Sequence, residues 1–250
     1  ADEYLTHAKG WGVTGNYHEY AYGPAIDGEG NLWVALNSSI GKGYQTNNKW
    51  RGWSLRVKPD GSWTPMTGGF RSPSGIGTNL NGDVFATDQQ GNWFPTCPLM
   101  HLKQGTFHGH ADSLQFTQLP EATFRLDGAL PKNLTVSQAA ERIPAYKLPA
   151  IWFPYRKMGM STTDILADST QGKFGPFAGQ LFCGEFTMSF ISRVFLEKVE
   201  GEYQGACFRF RDGLDCAALR MQWGPDGSMY IGQSNRGWNS LGTRSYGLQR

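Results

Sequence analysis

His18 stands in Tyr17-His18-Glu19-Tyr20, just before a strand-like run. A free imidazole titrates at about pH 6.5, so it can take a proton from a hydroxyl at neutral pH. A packed or surface histidine at a strand start is the plainer alternative. Arg71, in Arg71-Ser72-Pro73, carries a planar, permanently charged guanidinium that can stabilise charge developing on an oxygen. A surface salt bridge would use the same group. Asp88-Gln89-Gln90-Gly91-Asn92 brings a carboxylate, amide oxygens and pliable backbone to the end of an apolar strand. Hard cations take oxygen ligands of these kinds, carbonyls included, although a turn between strands has a similar composition. His108-Gly109-His110 could set two imidazoles on one strand face for zinc or copper, but its glycine reads first as a turn. Trp11, Trp50, Trp53, Trp93 and Trp238 could stack on sugar rings, or pack between strands.

Strands must position these groups. Tyr20, Tyr22, Leu32, Val34 and Leu36 alternate with period two across Glu19–Ile26 and Asn31–Asn37, which predicts two strands with one buried face. A polar loop over Ser38–Arg51 follows. Gly52–Lys58 and Ser62–Thr67 form a hairpin across Pro59-Asp60-Gly61. Asp27-Gly28-Glu29-Gly30-Asn31-Leu32-Trp33-Val34 is echoed by Asn79-Leu80-Asn81-Gly82-Asp83-Val84-Phe85 and by Gly224-Pro225-Asp226-Gly227-Ser228-Met229-Tyr230. A repeated unit of four short antiparallel strands points to a β-propeller rather than a sandwich. Residues 111–147 break the pattern. Ser137-Gln138-Ala139-Ala140-Glu141-Arg142 predicts a short helix capped by Thr135 or Ser137, within an insertion expected to roof a site. Third-blade strands are expected at Ala150–Pro154, Ser161–Ala167, Gly179–Glu185 and Ser189–Glu197. A further strand is expected at Ala206–Phe210, and Leu219–Trp223 and Ser228–Gly232 open another blade. The expectation is an all-β chain of three to four blades, spanning 1–250, with a small irregular and helical insertion at 111–147.

Composition narrows the classes. The chain has 250 residues, 33 glycines, 14% aromatics and a net charge of +2. Glycine and aromatics at this level favour a turn-rich β protein. Near-neutral charge leaves no electrostatic footprint for nucleic acid. No apolar run is long enough to span a membrane. Cys97, Cys183, Cys207 and Cys216 fall in neither haem-attachment nor zinc spacing. They read as buried thiols, with Cys207–Cys216 the best-placed pair if one bridge forms. Asn133-Leu134-Thr135 fits the glycosylation pattern, a chance match on this reading. No signal peptide is visible. The ends of the chain read as cuts through a longer protein.

Arg71-Ser72-Pro73, Gly75-Ile76-Gly77, Asn81-Gly82 and Gln89-Gln90-Gly91 follow one another as Arg-Asn-Pro, Gly-Leu, Pro-Asn-Gly and Glu-Gln-Gly-Pro do in the glucose/sorbosone dehydrogenase superfamily, which the chain resembles. More closely it resembles large dehydrogenase-like propeller proteins of planctomycete-type bacteria. The resemblance implies part of a six-bladed propeller that oxidises a sugar or polyol hydroxyl, with pyrroloquinoline quinone (PQQ) and Ca2+ as cofactors. It implies His18 as the base that takes the hydroxyl proton while hydride passes to the quinone, and Arg71 at the quinone's reacting carbonyl. Gln90 and, more loosely, Lys157 and Arg220 would hold the cofactor. The Gly91 carbonyl would bind the metal, with Asn92 and Asp88 offering further oxygens. Ser72 replaces the family's asparagine, and Arg220 stands out of register with its arginine pair before Pro225-Asp226-Gly227; Arg236 and Arg244 are possible substitutes. A periplasmic or extracellular location and a cytochrome c acceptor would follow. Two other readings use the same scaffold: a carbohydrate- or protein-binding propeller without catalysis, and a polysaccharide lyase using His18 and Tyr17.

Overall fold

The structure, a computed structural model, describes residues 2–40, 48–127, 129–235 and 237–250. Part of the loop expected at 38–51, and Arg236, lie outside the described residues. Four sheets follow one another along the chain. The first is an antiparallel meander of β1 (Ala21–Ile26), β2 (Leu32–Leu36), β3 (Trp53–Val57) and β4 (Trp63–Gly68). The second contains β5 (Gly75–Thr78), β6 (Val84–Thr87) and β7 (Pro98–His101). The chain then returns to the first sheet, where β8 (Thr106–Phe107) pairs parallel to β4, before β9 (Ile151–Trp152) closes the second sheet against β7. The third is β10 (Thr162–Ala167), β11 (Leu181–Glu185), β12 (Phe190–Val199) and β13 (Glu202–Arg211). The fourth holds β14 (Ala218–Trp223), β15 (Met229–Ser234) and β16 (Tyr246–Gln249). These are three four-stranded propeller blades, the first with β8 added, and a three-stranded fourth. The strand expected at 150–154 belongs to the second blade, because Leu99 and Pro98 pair with Ile151 and Trp152.

The turns form for the reason their composition suggests. Asp27, Asn79, Asp60 and Asp226 each accept backbone N–H bonds from residues two further on, and Gly30, Gly82, Gly61 and Gly227 take φ of 80–82°. A side chain with a Cβ rarely adopts that conformation. Apolar layers then fill the space between neighbouring sheets. Trp33, Phe70, Met66 and Met100 lie between blades one and two. Phe85, Leu99, Phe153 and Leu181 lie between two and three, and Phe182, Ile191, Met221 and Ile231 between three and four.

The first strands of the blades, β1, β5, β10 and β14, come together at the centre, where space is shortest. A Cβ on Gly75 would stand 1.9 Å from the Thr163 carbonyl oxygen, and one on Gly77 2.6 Å from that of Ile165. Thr163 in turn donates from Oγ1 to the Ala218 carbonyl at 2.7 Å. The four cysteines are free thiols, Cys207 and Cys216 included.

The insertion behaves differently from expectation. Its helix, α1 (Val136–Arg142), is where the sequence places it, and Thr135 and Gln138 form a reciprocal capping box. A 3-10 turn at Ala111–Phe116 precedes it. The insertion packs its Phe116, Phe124, Ile143 and Tyr146 on Trp50, Trp53 and Leu55 of the first blade. It therefore covers the flank of that blade, and none of its described residues lines the central cavities described below. His108 and His110, just before it, are 2% and 3% exposed. No group of three or more potential metal ligands occurs among the described residues, and both imidazoles are packed into the protein. His108 stacks on Phe70 with both ring nitrogens lacking hydrogen-bond partners, and burial pushes its pKa down to about 3.

This packing generates two predictions. Gly75→Ala should cost about 3 kcal/mol or more, because the obstruction is backbone; denaturant unfolding measures it. His108 stays neutral when folded and charges when unfolded below about pH 6.5, so it costs stability as pH falls toward 3. His108→Phe keeps the stack without that cost. Its stability relative to wild type should rise by about 1.4 kcal/mol for each pH unit below 6.5, read from melts across pH 4–8.

Candidate functional site

At one end of the first strands, the segments leading into the first strand of blades one to three meet the segments leaving the second strand of all four. Together they enclose two adjoining cavities of about 340 and 560 Å³. His18, Ser72, Gln89, Ser161 and Trp238 line both. The smaller adds Arg71, Gln90, Tyr155, Met160 and Thr187, and the larger adds Tyr17, Tyr20, Tyr22 and Phe186.

His18, Arg71 and Gln90 thus come together on one cavity. The His18 ring lies edge-on to Tyr17 at 5.3 Å, and its nitrogens meet no hydrogen-bond partner among the described residues. Arg71 donates from Nε to Asn92 Oδ1 at 3.2 Å and rests on the bare Gly91 backbone, where a Cβ would approach its Cζ to 2.9 Å. It makes no ion pair among the described residues, so its charge is available to the cavity. The Gln90 side chain has no hydrogen-bond partner among the described residues, whereas Gln89 donates to the Thr162 carbonyl at 2.7 Å.

Asp88 is fully buried and lines neither cavity. Its carboxyl accepts the backbone N–H groups of Arg71 at 2.8 Å, Ser72 at 2.7 Å and Gln89 at 2.6 Å. Burial pushes its pKa up to about 7 against the pull of those donors. Glu185, one blade on, accepts the N–H groups of Met160, Ser161 and Met188, and burial raises it too.

The expected metal set does not fit calcium. Asp88 is spent on amides, Asn92 Oδ1 faces the Arg71 cation, and the Gly91 carbonyl accepts from Phe94 N at 3.0 Å. A cation would compete with three donors and stand beside a guanidinium. Two cofactor residues are also displaced. Lys157 is exposed in the turn after β9 and lines neither cavity; its carbonyl accepts from Arg209. Arg220 lies beneath the larger cavity, its guanidinium 5.2 Å over the Tyr22 ring and donating to the Ser74 carbonyl, in a neighbouring cavity of about 380 Å³. Arg244 is exposed against Asp215. The two cavities together present a guanidinium, an imidazole, amides and aromatic walls, groups of the kinds a planar quinone with carboxylates would need. Arg71 is the permanent cation among the described lining residues.

Ser161, Thr187, Met160 and Tyr155 were not singled out in the sequence. The blade echo would have found Met160-Ser161 and Thr187, which occupy in the third blade the places of Arg71-Ser72 and Gln89-Gln90 in the second. Of the loop tryptophans, Trp50 and Trp53 are core, and Trp238 is 66% exposed at the cavity mouth.

No family model matches the chain, and no curated protein does. Solved structures do. A putative oxidoreductase (glucose dehydrogenase) from Thermus thermophilus superimposes with a TM-score of 0.59 at 18% identity, over 90% of this chain and 62% of that one. The PQQ-bound aldose sugar dehydrogenase of Streptomyces coelicolor gives 0.53 at 17% identity, over 90% and 59%. The PQQ domain of pyranose dehydrogenase from Coprinopsis cinerea, in its holo form, gives 0.53 at 12%, over 96% and 72%. The chain spans about three fifths of the length of the first two. At these identities the likeness is one of architecture: the chain has the fold of the PQQ-type sugar dehydrogenase propellers, as part of such a propeller.

Proposed function

We propose that this chain is part of a sugar dehydrogenase-like propeller that binds a quinone of the PQQ type in the smaller cavity and oxidises a sugar or polyol hydroxyl there. The observation that carries the reading is the meeting of His18, Arg71 and Gln90, residues distant in sequence, on one cavity, with Arg71 held by Asn92 and in no ion pair among the described residues. A bound quinone would supply the two-electron acceptor. The chain's own residues supply the rest. His18, at the wall shared by both cavities, accepts the hydroxyl proton at neutral pH. Arg71 holds the ligand's anionic oxygen through a guanidinium braced by Asn92 and the bare Gly91 backbone. Gln90 offers an amide to a carbonyl or carboxylate. The aromatic walls of the larger cavity face the apolar side of a sugar ring. Extracytoplasmic residence and a c-type cytochrome as final acceptor accompany this proposal.

Calorimetric titration of PQQ into the protein tests it. Saturable binding is expected, weakened about tenfold or more in Arg71→Ala, since a charge-assisted bond contributes roughly 1.5–3 kcal/mol. His18→Ala should leave affinity within a few-fold but lower aldose oxidation about 10²–10⁴-fold. EDTA should leave PQQ affinity unchanged, because the expected oxygen set does not fit calcium. Absence of binding by wild-type protein would sink the quinone reading.

A further inference from the structure

We propose that Asp88 and Glu185 are paired positioning residues that set the rim of the candidate cavity. Each stands at the end of the second strand of its blade, 0% and 1% exposed. Each turns its carboxyl back to accept two consecutive backbone N–H groups from the segment entering the first strand of the same blade. These are Arg71 and Ser72 for Asp88, and Met160 and Ser161 for Glu185. Each takes a third N–H from the segment leaving its own strand, Gln89 or Met188. The two carboxyls thus bind the backbone of five of the eleven described residues lining the smaller cavity: Arg71, Ser72, Gln89, Met160 and Ser161.

The other two blades provide an internal comparison. Asn37 and Asn235 stand one residue past β2 and β15, at nearly the same station. Asn235 accepts the Ala217 N–H of its own blade at 3.3 Å, whereas Asn37 donates to Ser72 Oγ of the next blade at 3.0 Å. In the fourth blade an amide therefore takes the place of the carboxylate. A carboxylate is the costlier choice in a buried place, but it is all acceptor, with two oxygens for three donors and no N–H₂ facing them. That choice is made in the two blades whose rims supply most of the lining. The fold does not require it, and the cavity gains loops held at fixed height.

The inference rests on the cavity being the binding site, yet its first readout needs no ligand. Hydrogen exchange on the wild type should show Arg71, Ser72, Gln89, Met160 and Ser161 protected as strongly as strand amides, although they lie in loops. Asp88→Asn should speed exchange at least tenfold at Arg71, Ser72 and Gln89, and Glu185→Gln at Met160, Ser161 and Met188, with Ala86 and Phe182 unchanged. PQQ affinity should fall about tenfold in each, and the exchange pattern and affinity should not be restored by Asp88→Ala or Glu185→Ala. Unprotected rim amides in the wild type would overturn the proposal without any variant. So would faster exchange spread evenly over the strands, or loosened rims with unchanged PQQ affinity. If wild-type protein binds no PQQ while the exchange pattern holds, the quinone reading fails and the positioning pair stands.

Discussion

A carbonyl oxygen occupies the place where a side chain at Gly75 would have to be. Everything at the cavity depends on that contact. First strands can approach so closely only where one of them lacks side chains on the facing side, and Gly75 and Gly77 provide this between the second and third blades. The hydroxyl of Thr163 continues the line to Ala218 in the fourth. Backbone packed on backbone has no rotamers, so the relative height of successive blades is fixed rather than averaged. Residues at the same station of successive blades then form a ring, and a binding surface can be assembled from pieces nearly ninety residues apart in sequence, such as Arg71 and Ser161.

The rim adds charge to that geometry with little help from ion pairs. Arg71 is fixed by an amide oxygen and a glycine, not by a carboxylate, although Asp88 lies directly behind its own backbone. That division matters. A carboxylate paired to the guanidinium would neutralise the group that faces the ligand; bonded instead to the Arg71 N–H, it orders the backbone and leaves the side chain charged. His18 is similarly uncommitted. Arg220, by contrast, is engaged with Tyr22 and the Ser74 carbonyl. The described lining of the cavity thus presents one permanent cation, not a cluster of charges.

Local chemistry made the fold legible. The strands β1 and β2, the Asx-Gly turns at Asp27, Asn79 and Asp226, and the capping box at Thr135 are each decided within a few residues, and each formed; the expected single buried face did not, since Trp33 and Ala35 are buried more deeply than Leu32 and Val34 and Tyr20 is exposed. Ile151–Trp152 was misassigned because a two-residue strand has no periodicity; its place is set by pairing with β7, more than fifty residues earlier. The insertion was expected over the site because prolines and a helix say that a segment is compact, not which surface it covers. Its aromatic residues decided that, by meeting Trp50 and Trp53.

His18, Arg71 and Gln90, each read for a single chemistry, are brought by the fold to one cavity. Asp88 and Asn92 each had two uses. An aspartate at a strand end followed by Gln-Gln-Gly-Asn offers oxygens to a metal and equally to nearby amides, and sequence contains both options. The outcome turns on burial. Sealed from water, Asp88 has its two oxygens taken by three N–H donors from its own neighbourhood, and Asn92 Oδ1 accepts from the Arg71 guanidinium. The step that removes the calcium ligands is thus the step that builds the rim, and both follow from placing a carboxyl at the end of β6 with no water to share it.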